Sequence, residues 1–322
     1  MQDTFSILDA ASGRSRRTVP LGGAEVALTL SVRAGRIYAL VTLPPAGSAP
    51  GTLANIVLLI LDTDGRAVKR IAQLGGAAAV TVDARRGRIF VGDAFGCQGD
   101  LYRGCLYMFD ATSGRRLGAA SLPTTVGPGG LAIDEGRGCG VAALEGTRGL
   151  DSTDAVARVA TFDTATGHVR RTKQTSVERA VYAVALDPAT SRAVIVNGPD
   201  DYDVGNEGGR LETKLIDTCS GRMLGTGSVT SSGVGVSWRT AAAPVGAHRF
   251  FILAQGFDVQ HLHFAPDQNA TLTVIDERTG RFVDTSRGHV GDTAFAFDDA
   301  TKRLFIANGS NDTVRAIDAS HL

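Results

Sequence analysis

Long apolar runs are absent from this chain: none approaches the ~20 residues of a membrane-spanning helix. No segment carries the 3.6-residue apolar period of an amphipathic helix, which excludes helical folds. Net charge is missing too. The 33 basic and 33 acidic residues cancel, so no global field draws the chain to nucleic acid or to an anionic membrane surface. The N-terminus, "MQDTFSILDA", lacks the basic and apolar regions of a signal peptide. The chain is therefore expected to be cytosolic, or else a piece of a larger protein. There is no Gly-x-Ser-x-Gly elbow, no phosphate-binding glycine loop and no paired-cysteine zinc motif. A single Trp238 is thin for a quinone-stacking site.

What the 322 residues do hold is glycine, 40 of them, which implies many turns and crowded positions. One sentence recurs: "LLILDTDGRAV", "LYMFDATSGRR", "VATFDTATGHV", "TKLIDTCSGRM", "LTVIDERTGRF". Its strand-ending aspartate falls at Asp9, Asp62, Asp110, Asp163, Asp217, Asp276 and Asp318, with gaps of 53, 48, 53, 54, 59 and 42 residues. Each copy reads as a hairpin. The apolar run is a strand, the Asp carboxylate accepts N–H bonds from the turn, and Gly supplies a positive φ. A second hairpin alternates with it: "VTVDARRGRIFVG" at 80–92, "LAIDEGRGCGVAAL" at 131–144, "VALDPATSRAVIV" at 184–196 and "FAFDDATKRLFIA" at 295–307. "LTLSVRAGRIYAL" at 28–40 is a further copy, and 235–253 is a lengthened one.

Two hairpins per ~50 residues give four strands per unit, labelled A to D from the axis outward, and hence an all-β β-propeller. Complete units span 27–75, 79–123, 130–175, 182–229 and 234–286. The stretch 294–319 supplies strands A to C, and 4–21 supplies the missing outer strand. The expectation is one domain over 1–322: six four-stranded blades, with the N- and C-termini closing one blade by pairing 14–21 against Val314–Asp318. One strand is left over, because "FSILDA" and "VRAIDA" compete for the same slot.

The pairing of "AxDxxxGRxFV" with "VxxxDxxTGR" resembles the YVTN-type propeller repeat, of the YncE-like and NHL-like kind, over nearly the whole chain. The resemblance implies a propeller. It is a poor guide to activity, because proteins with such repeats include extracytoplasmic binding and sensing domains, and relatives include lyases and hydrolases.

In a propeller the Asp–Gly turns (A–B and C–D) lie on one face, and the B–C and D–A loops on the other. All the long segments are B–C loops: 42–56, 92–105, 144–158, 197–213 and 254–270. Binding is expected there. The loop "PDDYDVGNEGGRLE" carries Asp200, Asp201, Asp203, Asn206 and Glu207, hard oxygen ligands suited to Ca²⁺; the match to a calcium loop is poor, because Gly205 stands where a third oxygen ligand is needed, and a solvated acidic loop is the favoured reading. In "GFDVQHLHFAPDQ", His261 and His263 share a face of an extended segment. With His289 and Asp258 or Asp292 they could contact a polar ligand or hold a transition metal. Arg103, Arg148 and Arg179 near the mouth are candidates for an anion, although ordinary surface solvation is the favoured reading. His168, His248 and His321 fall on turns or the terminus and are read as bystanders. A calcium-dependent hydrolase would want acids at the channel ends of the inner strands, where only Glu25 and Asp292 qualify.

Cys97 and Cys105 bracket one loop whose ends must meet, which is disulfide geometry. Cys139 and Cys219 lie near turns on the other face and are read as unpaired. A Cys97–Cys105 bridge implies an oxidising, extracytoplasmic compartment; free thiols would imply the cytoplasm. The expected function is a ligand-binding or sensing module of a larger extracytoplasmic protein, with a small-molecule or peptide ligand at the long-loop face. Two alternatives stay open: a metal-dependent lyase or hydrolase at the channel mouth, and a protein-interaction scaffold. Catalysis is left undecided, with no nucleic acid and no membrane insertion expected.

Overall fold

Alternating apolar residues punctuated by Asp-x-x-x-Gly turns leave the backbone one economical solution, a meander of short antiparallel strands. The computed structural model has this form. It describes residues 4–8, 15–31, 33–43, 55–71, 74–93, 97, 103–147, 155–177, 179–199, 210–230, 236–242, 248–258, 263–264, 269–290, 292–298, 301–308 and 313–318.

A first hairpin joins β1 (Thr4–Leu8) to β2 (Ser15–Pro20). Blade 1 is β3 (Ala24–Ser31), β4 (Arg36–Leu43), β5 (Asn55–Asp62) and β6 (Ala67–Ile71). Blade 2 is β7 (Ala77–Asp83), β8 (Arg88–Asp93), β9 (Gly104–Asp110) and β10 (Arg116–Leu122). Blade 3 is β11 (Thr125–Asp134), β12 (Cys139–Thr147), β13 (Ala155–Asp163) and β14 (Val169–Val177). Blade 4 is β15 (Arg179–Asp187), β16 (Arg192–Pro199), β17 (Arg210–Asp217) and β18 (Met223–Thr230). Blade 5 is β19 (Val236–Ala242), β20 (Arg249–Asp258), β22 (Asn269–Asp276) and β23 (Phe282–Val290), with the two-residue β21 (His263–Phe264) added on β20. Blade 6 shows β24 (Asp292–Asp298), β25 (Arg303–Asn308) and β26 (Thr313–Asp318). The protein is thus an all-β, six-bladed propeller built on four-stranded blades, with no helix among the described residues.

The core lies in the seams between blades. Tyr38, Leu40 and Leu58 of blade 1 pack on Val80, Val82 and Val91 of blade 2. Phe90, Leu106 and Met108 of blade 2 meet Leu131, Ala142 and Phe162 of blade 3, with the Phe90 and Phe162 rings 5.0 Å apart. Equivalent clusters join blades 3 and 4, 4 and 5, and 5 and 6. Each fully buried Leu, Ile or Phe in such a seam contributes about 1.5–3 kcal/mol. Small residues set the spacing. A Cβ on Gly140 would sit 2.1 Å from the Phe162 ring, so only glycine fits opposite that phenylalanine.

The ends depart from the expected pairing. Among the described residues, Ser15–Pro20 does not ladder with Val314–Asp318: β2 pairs with β1, setting Phe5 opposite Val19, and β26 pairs with β25. "TFSILD" and "TVRAID" are both C-type strands, and β2 follows β1 after a short connection, so the local hairpin carries the smaller loop-closure cost. The hairpin lies against blade 1, where Phe5 and Leu21 pack on Ala39, Val41 and Val57. It leaves the inner strand uncovered. Leu28 is 40% exposed, whereas its repeat equivalents Val80, Leu131, Val184 and Phe295 are 7–8% exposed.

Candidate functional site

On the turn face the recurring carboxylates are already engaged. Asp110 Oδ1 accepts from the Thr112 and Ser113 amides at 3.1 and 2.7 Å and from the Ser113 hydroxyl at 2.9 Å. Asp163, Asp217 and Asp276 repeat the arrangement, and the glycine that ends each turn has φ between 63° and 72°. Hydrogen bonds from Ser113 hold the Asp110 carboxyl below the usual carboxylate range. Burial pulls the Asp163 and Asp217 carboxyls upward, but Arg170 and the Thr166 turn on one, and the Ser220 turn and Arg137 on the other, hold both at about 2. These groups make turns, as their spacing implies, and have little left to offer a ligand.

The same face carries the links between blades. Between blades 2 and 3, Glu135 Oε1 accepts from the Ala84 amide at 2.9 Å, and Arg86 donates to the Glu135 carbonyl at 3.0 Å. Between blades 4 and 5, the fully buried Glu277 accepts from Thr190 and meets His248 Nδ1 at 3.0 Å, while Arg192 donates to its carbonyl. Burial and the charge of Asp187 push the Glu277 carboxyl up, against the opposing pull of His248 and Arg192. His248, read from sequence as a bystander, is part of this link.

Between blades 3 and 4, Arg137 pairs with Asp217 at 2.9 Å, and Thr218 donates to Asp134 at 3.2 Å. A disulfide joins Cys139 to Cys219 across the same seam, with Cα atoms 5.2 Å apart. The reading of these two cysteines as unpaired is therefore corrected. They are 80 residues apart in the chain, but they open strand B of one blade and follow strand C of the next, positions that face each other across a seam. Cys97 and Cys105 are bonded as expected, with Cα atoms 4.9 Å apart. Two disulfides favour an oxidising, extracytoplasmic compartment.

On the long-loop face, Asp258 ends β20 and His263 opens β21, and the two are cross-strand partners. His289 lies within β23 rather than in a connection, and Asp292 opens β24. Arg179 opens β15, and the exposed Arg103 precedes β9. His261, Arg148, Asp200, Asp201, Asp203, Asn206 and Glu207 lie outside the described residues. Among the described residues, no group of three or more His, Cys, Asp and Glu side chains is placed to hold a metal ion.

A feature missed from sequence sits at the loop-face ends of the B strands, where Asp93, Asn197 and Asn308 are buried. Asp93 Oδ1 accepts from the Gly76 amide at 3.1 Å and so fixes the connection entering β7. Aligning strand B across the blades brings the three to one position, the fifth residue of "IFVGD", "AVIVN" and "LFIAN".

No family model matches the chain, and no curated protein matches it. Solved structures do. The chain is similar to a chain of Kuenenia stuttgartiensis hydrazine synthase, with a TM-score of 0.64 and 15% identity, covering 94% of this chain and 78% of that one. It is similar to a chain of a mitotic checkpoint complex, at 0.63 and 14%, covering 98% and 84%. It is also similar to the β-propeller domain of the Pyrococcus furiosus trilobed protease, described as having an open velcro topology, at 0.57 and 10%, covering 98% and 86%. At these identities the likeness is one of fold alone.

Proposed function

We propose that the protein is a ligand-binding or sensing propeller module of the YVTN type, a single domain over residues 1–322 that works outside the cytoplasm within a larger protein. The asymmetry of the two faces carries this reading. A–B turns of blades 1 to 4 take four residues each, whereas B–C connections in blades 1 to 5 take 11, 10, 7, 10 and 10. Variable connections on a rigid scaffold are where binding groups collect. The ligand, a small molecule or peptide, meets His261, His263, His289, Asp258, Arg103 and Arg148. Asp201, Asp203, Asn206 and Glu207 are the candidate ligands of a Ca²⁺ ion. The register that sets Asp258 opposite His263 supports a shared rim. Propeller folds commonly mediate protein interactions, and a protein partner at the same face is the second reading.

Changing His261, His263 and His289 together to Ala tests the site. Calorimetric titration with Zn²⁺, beside elemental analysis of the purified wild type, should find binding that the variant loses, with an unchanged circular dichroism spectrum. A variant that unfolds makes these histidines structural. One that binds Zn²⁺ as the wild type does moves the site elsewhere, first to the loop closed by Cys97 and Cys105.

A further inference from the structure

Four turn positions can be compared across seams because the blades repeat. Ala34, Arg86, Arg137 and Thr190 occupy one place in the A–B turns of blades 1 to 4. The last three reach the next blade, at the Glu135 carbonyl, at Asp217 and at Glu277. Ala34 has no side chain to do so. The residue after the strand C aspartate is Ala111, Thr164, Thr218 and Glu277 in blades 2 to 5. Thr218 and Glu277 engage the preceding blade, which Ala111 cannot. Where blade 3 presents Glu135 to its neighbour, blade 2 presents Ala84.

Three alanines thus stand where other seams carry linking side chains, and a cavity of about 370 Å³ opens between blades 1 and 2. That volume lies within the ~300–1,000 Å³ of small-molecule sites. Tyr38, Ile60 and Val82 lie buried beneath its floor, and the apolar surface it exposes is that of Val68, Ala34, Ala84 and Ala111. Lys69 crosses the seam to the Ser113 carbonyl and closes the outer side. Arg36 lines the same cavity. Its equivalent Arg88 pairs with Asp110 at 3.2 Å, whereas Arg36 donates at 3.1 Å to the carbonyl of its own neighbour Gly35 and has no ion pair among the described residues. Asp62, opposite Arg36 in register, turns its Oδ1 to the amides of Asp64 and Arg66. Burial holds the Tyr38 phenol above its usual range despite the Arg36 charge.

We propose that this cleft is a binding site for a small organic anion with an apolar body, its carboxylate held by Arg36 and its hydrocarbon against Val68, Ala84 and Ala111, above the buried Ile60 and Val82. An arginine fork matches a carboxylate bidentately, and the apolar wall takes a ring or branched chain that water solvates poorly. The site lies on the face opposite the long loops and is independent of them.

The test is a methyl-resolved NMR titration of the intact protein with phenylacetate, with phenylacetamide as the neutral isostere and acetate as the anion without a body. Phenylacetate should shift the Val68, Val82 and Ile60 methyls saturably, with an affinity at least tenfold above those of the amide and acetate. Arg36→Met should remove that tenfold preference while retaining weak binding of the amide. Ala34→Arg, which restores the linking side chain of the other seams, should abolish both. If phenylacetate leaves these methyls unshifted up to its solubility limit, or if Ala34→Arg binds it as the wild type does, the proposal is overturned. Equal affinity for acid and amide in the wild type would overturn the role of Arg36.

Discussion

The seam between blades 3 and 4 and the seam between blades 1 and 2 are built on the same backbone and treated in opposite ways. The first is closed on the turn face by a disulfide, an ion pair and a hydroxyl–carboxylate bond. The second has alanines at the corresponding positions and holds a cavity. Both keep a buried apolar layer beneath. The difference shows that the strand cores and Asp–Gly turns suffice to build a blade. Links across the face are additions, and where they are withdrawn the fold gains room without losing its ladder.

The largest expected effect comes from removing the link that most separates the two seams. Replacing Cys139 and Cys219 together by Ala frees a loop of about 80 residues, and chain entropy sets the cost at about 4.5 kcal/mol in urea unfolding. The same change at Cys97 and Cys105 releases a short loop and should cost about 2.6 kcal/mol. The reverse order would mean that the blade 3–4 seam is held by its apolar layer and not by its crosslink.

The carboxylate of that seam gives the next effect. Asp217 is held at about 2 in the folded protein against an ordinary value near 3.8, so its contribution is fully present above about pH 4 and is lost as pH falls toward 2. A shift of that size corresponds to about 2 kcal/mol. Asp217→Asn should lower stability by about that amount at pH 7 and should flatten the acid limb of stability against pH. An unchanged acid limb would remove the Arg137–Asp217 pair from the contrast.

The smallest effect is expected in the open seam. Ala34→Arg adds a partly exposed polar contact and should raise stability by at most about 1 kcal/mol, read as a small upward shift in Tm. A loss of several kcal/mol would mean that the cleft is shut against such a side chain, and that the alanines are there for packing rather than for space.

The strand order, the four-stranded unit and the turn role of Asp110, Asp163 and Asp217 were legible in the sequence because they depend on residues within a few positions of one another. The Cys97–Cys105 bridge was legible for the same reason, since eight residues separate its ends. The long-loop face was legible as a region but not as a geometry. Its loops are read from spacing, whereas a site depends on how loops from different blades converge.

What the sequence determined by itself is everything local: alternation sets the strands, Asp and Gly set the turns, and a ~50-residue period sets the blades. What only the tertiary structure decided lies across the seams. The Cys139–Cys219 bond, the burial of Glu277 between Thr190 and His248 and the cavity beside Arg36 each depend on which turn of one blade faces which turn of the next. That choice is made by packing between sheets, where the contacting residues are far apart in the chain and no local spacing records that they meet.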